Sequence, residues 1–251
     1  MVNEIHKLTY VLFVLVCATL GFTFARQDQP QKDKAKETEY SKQLQARRLR
    51  FPTADYVETD LTDPKKNQAR KEKKLRKNSY PLVARNPPDW QTESVASNEG
   101  ELDFPALPVV ESAYIVLGKV TSAEAHLSEN KKTVYSEFSV SVERVFKTAS
   151  NSVSAGTEIV VDRIGGSVKH PNGHTVLYRI SGMSMPLTGE RYLLFLTSTN
   201  HQDLSILTAY ELGVNGVIPL DEWPHFEKFR GVTEESFIQN LRDALAKSSP
   251  Y

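Results

Sequence analysis

Two histidines flank a short loop in KHPNGHT, residues 169 to 175, and imidazoles so placed can hold a metal ion or move a proton. Pro171-Asn172-Gly173 fits a type I turn closed by a left-handed glycine, the common three-residue hairpin loop. His170 and His174 are then a cross-strand pair on one face, with β-carbons about 5 Å apart, close enough to share one ion. A catalytic zinc takes three protein ligands, however, and His6, His126, His201 and His225 stand at no ligand spacing. Asp162 or His201 would have to be brought in by the fold. The sequence therefore reads as a wet hairpin tip, with no metal, no cofactor and no catalytic residue assigned. A metal-dependent hydrolase using His170 and His174 is the alternative.

Other patterns carry less chemistry. GMSMP, residues 182 to 186, has Pro186 where a nucleophile elbow needs its last glycine, and no strand-to-helix context surrounds it, so a loop is expected. Gly165-Gly166 lacks the lysine and the following helix of a phosphate loop and reads as a bulge or a corner between strands. Glu190 and Arg191 open a strand as a surface pair, with no second carboxylate spaced for acid and base work. Trp90 falls in a linker, whereas Trp223 is expected to pack on the folded domain.

The elements that would position these residues begin after a long preamble. LTYVLFVLVCATLGFTFA, residues 8 to 25, is apolar and uncharged, so residues 1–25 read as a signal peptide or a membrane anchor. Cys17 is the only cysteine and lies in that run, which leaves the exported part without an intramolecular disulfide or a thiolate metal site. Its preceding Val14-Leu15-Val16 is too bulky for a lipidation site. Residues 26–104 read as a charged, largely disordered stalk, because so polar a segment buries too little surface to offset its ordering entropy. Residues 26 to 100 hold 17 basic against 12 acidic side chains, and the run KKNQARKEKKLRK makes this part the cationic one. It could touch an anionic membrane surface; acidic residues interrupt it, and a solvated spacer is the simpler reading. Nucleic acid is not an expected partner, since no aromatic platform is interleaved and the chain is expected outside the cytoplasm.

Ordered structure is expected over 105–251. VYSEFSVSVERVFK alternates apolar and polar residues with period two, and YIVLGKVTSAEAHL pairs with it across the turn-prone Ser-Glu-Asn-Lys of residues 128 to 131. TEIVVDR, RYLLFLTS, SILTAYEL and VIPL are further strands. In TEESFIQNLRDALAK, Thr233 can cap a helix whose Phe237, Ile238, Leu241 and Leu245 share a face. The fold class is mainly β: a small antiparallel β-barrel with a C-terminal α-helix, preceded by an N-terminal apolar helix and the disordered charged linker.

With VYSEFSVSVERVFK, the double glycine, SGMSMP, GERYLLFL and LTAYEL in place, residues 110 to 247 resemble an uncharacterised family of exported bacterial proteins. The strand pattern is more loosely similar to the oligonucleotide-binding barrel. The resemblance implies a β-barrel-like domain in the cell envelope, periplasmic or anchored facing outward, and supplies no catalytic residues. The function expected is a non-catalytic envelope module that binds a protein, a peptide or a wall component.

Overall fold

The computed structural model describes residues 42, 46–57, 64–77, 82–97, 104–149, 153–198 and 203–248. The expected signal or anchor over residues 1–25 and His201 lie outside the described residues. Among the described residues no helix is long and apolar enough to cross a membrane. The chain divides into two units, Met1–Leu49 and Arg50–Tyr251.

Among its described residues the second unit is mainly β, with α-helix at two places. In chain order it holds β1 (Thr53–Asp55), α1 (Pro64–Arg76), β2 (Glu93–Ala96), β3 (Tyr114–Leu127), β4 (Val134–Lys147), β5 (Glu158–Ile164) and β6 (Gly166–Lys169). Next come β7 (Thr175–Ile180), β8 (Arg191–Ser198), β9 (Leu204–Gly213), β10 (Gly216–Pro219) and α2 (Glu234–Ser248). One sheet has the order β10-β9-β5-β4-β3-β8, and β9 also pairs with β8. The other has the order β1-β6-β7-β2.

Two long strands organise the larger sheet. The turn at 128 to 131 closes on Asn130, whose Oδ1 accepts from Ser128 Oγ and the Lys132 amide, and Ser128 N donates to Thr133 O at 2.8 Å. From there β3 and β4 run antiparallel with register shifts at three places, which let so long a ribbon bend. The continuous apolar run of RYLLFLTS has its own explanation: both faces of β8 are covered. Tyr192, Leu194 and Leu196 join Val116, Phe138, Val140 and Val161 in one core, while Leu193 and Phe195 join Tyr210, Phe226 and the buried face of α2 in another. Thr233 caps α2, its Oγ1 accepting from Ser236 N at 3.3 Å, and Phe237, Ile238 and Leu241 are buried. Each is worth about 1.5–3 kcal/mol of transfer free energy.

The double glycine is a corner, as its lack of side chains suggests. Between β5 and β6 the chain leaves one sheet for the other, with φ +116 at Gly165 and +143 at Gly166. A β-carbon on Gly166 would meet Ser136 Oγ at 2.8 Å. Ser136 also donates to Gly165 O at 2.8 Å, so the corner is fastened to β4. The 182–186 segment is a loop, on which Trp223 packs at Gly182 and Ser184 N donates to Asp221 Oδ1 at 3.2 Å. Trp90 is exposed. Arg191 does not pair with Glu190: it holds Glu143 at 3.0 Å and Glu234 at 3.1 Å, tying β8 to β4 and to the first turn of α2.

A stalk over 26–104 does not describe residues 50–97, whose described parts belong to the folded unit. β1 lies parallel to β6 and β2 parallel to β7, so both edges of the β6–β7 hairpin are taken by strands from this segment. Arg179 of β7 pairs with Glu93 of β2. The entropy cost is offset by pairing to a preformed hairpin and by ion pairs between α1 and the sheet, neither of which composition registers.

Candidate functional site

The loop at the opening histidines has the expected geometry and an unexpected environment. His170 N donates to His174 O at 2.8 Å and Gly173 N to His170 O at 2.9 Å, with φ +87 at Gly173. The two side chains part company. His170 is 3% exposed, its Nε2 is 3.0 Å from Tyr178 Oη, and its ring stacks on Tyr56 with centroids 5.3 Å apart. Burial lowers its pKa, and burial also pushes the Tyr178 hydroxyl up to about 12. His174 stays half exposed, 3.5 Å from Asp89. The wet-tip reading is corrected for His170 because β1 brings Tyr56 over it, Tyr56 N donating to Lys169 O. Asp162 is engaged elsewhere. Among the described residues no group of three or more His, Cys, Asp or Glu could hold a metal ion.

The charged groups converge instead beneath α1. Lys, Arg, Gln and Ala favour helix, and Pro64 stands at the first helical position, where its missing amide costs nothing. Arg70, Lys73 and Lys77 fall at helical spacing on one face. That face meets the ends of β3, β4 and β5. Lys73 Nζ is 2.6 Å from Glu137 Oε1 and 3.1 Å from Asp162 Oδ2, and Lys77 Nζ is 2.8 Å from Asp162 Oδ1. Ser205 Oγ donates to the same Oδ1 at 2.7 Å, and Arg76 forks onto Asp203. The Asp162 side chain is only 2% exposed, and two ammonium groups neutralise it while the Ser205 hydroxyl donates to it.

Arg70 donates from Nη2 to His126 Nδ1 at 2.7 Å. A guanidinium cannot accept, so the proton of His126 is on Nε2, which points at Glu137 from 3.5 Å and at Glu124 from 3.8 Å. Burial works against ionisation of Glu137, but hydrogen bonds from His126 and Lys73 and the charge of Lys73 outweigh it and hold its carboxyl at about 2. Burial likewise opposes the Lys73 charge and is outweighed by Asp162 and Glu137, so its pKa is raised.

Arg70 and His126 separate two compartments. One, of about 300 Å³, is bounded by α1, Tyr135 and Glu137. The other, of about 400 Å³, lies along Thr53, Asp55, Ala123 and Ala125 and is mostly polar. Its walls are strand edges. Ser167 N donates to Pro52 O and Tyr56 N to Lys169 O, so parallel alternation turns the backbone of Ala54 toward β6 and those of Thr53 and Asp55 away from it. β3 is paired with β8 only from Tyr114 to Lys119. Beyond, Ser128 N bonding to Thr133 O sets the alternation that turns Ser122, Glu124 and His126 toward β4, and Ala123 and Ala125 away.

Sequence pattern alone singles out none of this site, placing Lys73 and Lys77 within a solvated run and Asp162 only as a spare metal ligand. The signal is present as cations at helical spacing facing a carboxylate inside the apolar TEIVVDR strand. No family model matches the chain, and no curated protein or solved structure does.

Proposed function

We propose that the chain is an exported, non-catalytic binding module of the cell envelope that takes an extended polypeptide as a strand added to the open edge of β3, in the compartment that β1 walls. One observation carries the reading: the outward backbone edges at Thr53 and Asp55 and at Ala123 and Ala125 line the same polar compartment of about 400 Å³. Strand addition needs such edges, gains its affinity from main-chain hydrogen bonds and asks for no sequence motif. In this reading β3, β4, β5, β9 and β8 close into a five-stranded barrel through the β8–β9 pairing, and the smaller sheet is a lip beside it. The apolar run of residues 8 to 25 supports export.

The test joins location to binding. Fractionation with an impermeant label is expected to find the domain outside the cytoplasm; cytoplasmic residence overturns that half. Hydrogen exchange on adding a library of extended peptides is expected to slow at the amides of Ala123 and Ala125. Unchanged exchange there, with peptide bound elsewhere or not at all, overturns the slot.

A further inference from the structure

Resting on strand addition in that slot, we infer that it reads the end of a polypeptide: a free C-terminal carboxylate taken by Arg70, with a basic last side chain taken by Asp55 and Glu124. Arg70 faces both compartments and forms one hydrogen bond among the described residues, from Nη2 to His126 Nδ1. No other described residue takes the rest of its planar fork, and that fork matches a carboxylate with two parallel N–H donors. His126 fixes the guanidinium from behind, so little side-chain entropy is lost when an anion docks.

The opposite charge is at the rim. Asp55 and Glu124 line the same compartment, both exposed, and neither pairs with a lysine or arginine among the described residues. The contact of Glu124 is the 3.8 Å approach to His126 Nε2. An anion alone would meet these two carboxylates as well as Arg70. A terminal residue that carries both a carboxylate and a cationic side chain satisfies all three. An internal acidic side chain does not, because it brings no terminus and leaves the chain to continue past Arg70, toward Lys73, which Glu137 and Asp162 already hold.

The experiment uses the full chain in mild detergent and fluorescent pentapeptides, alike except at the last residue, with a free carboxylate or an amide and a basic, neutral or acidic side chain. The basic carboxylate peptides are expected to bind about tenfold tighter than their amides, the worth of one charge-assisted contact. This comparison is made on the unaltered protein, so it does not depend on any variant folding. Arg70→Gln is expected to abolish the preference for the carboxylate, and Asp55→Asn with Glu124→Gln the preference for the basic side chain. Equal binding of carboxylate and amide, or of basic and acidic ends, overturns this inference and leaves strand addition standing. Failure of every peptide to bind overturns both.

Discussion

Asp162→Asn isolates what holds α1 down. The change keeps the shape and the hydrogen bond from Ser205 but removes the charge that faces Lys73 at 3.1 Å and Lys77 at 2.8 Å. Those lysine side chains are 15% and 12% exposed, so water replaces little of what they lose. Depriving a buried pair of one partner costs roughly 3–5 kcal/mol. Lys73 keeps Glu137 at 2.6 Å, which puts the expected cost at the low end, about 3 kcal/mol. The assay is limited trypsin digestion, because α1 is dense in lysine and arginine that docking shields. Where cleavage follows the undocked population, about 3 kcal/mol corresponds to roughly a hundredfold faster cutting within residues 64 to 77. Lys77→Met supplies the cross-check: Asp162→Asn and Lys77→Met together are expected to cost less than the sum of their separate effects by about 1 kcal/mol or more. Cutting of the wild type as fast as the variant, or strictly additive costs, would refute docking through Asp162.

Contacts elsewhere in the fold set three further outcomes. His170→Ala is expected to destabilise by about 2 kcal/mol in urea titration, since it removes one partner of the buried Tyr178 hydroxyl, which keeps the Ala84 backbone, and the ring under Tyr56, while His174→Ala stays within about 0.5 kcal/mol. Glu137 is held at about 2 against an ordinary 4.5, so its contribution is whole above 4.5 and is lost as pH falls from there toward 2. Urea midpoints across that window should reveal a loss of at most about 3 kcal/mol, and Glu137→Gln should flatten this part of the profile. Gly166→Ala forces a left-handed φ and a 2.8 Å contact with Ser136 Oγ, and a drop of melting temperature of several degrees is expected, against a small change for Gly173→Ala, whose only penalty is φ.

The larger sheet was legible because its signals are local. Alternation in VYSEFSVSVERVFK, the Asn130 turn, the Pro171-Asn172-Gly173 loop and the Thr233 cap each specify geometry within a few residues, and each appears where the pattern puts it. β1 and β2 were not legible. They are three and four residues long, and what makes them strands is an edge of the β6–β7 hairpin far along the chain. α1 escaped for another reason: hydrophobic periodicity is blind to a helix whose docking face is Arg70, Lys73 and Lys77 while Leu75 is 56% exposed. His170 combines both difficulties, since its burial depends on Tyr56, which follows β1 directly.

The seating of α1 has a consequence in time. Arg70 meets His126 56 positions later, Lys77 meets Asp162 85 positions later, and Arg76 meets Asp203 127 positions later. Each contact is rewarded only after a long loop has been closed, so this docking belongs to the slow end of folding. A chain that emerges amino end first carries α1 unpaired until residue 126 has followed it, and incompletely seated until residue 203 has. The wall of the slot that Arg70 supplies is then built late, and a chain that has not finished folding has no complete place to hold a ligand.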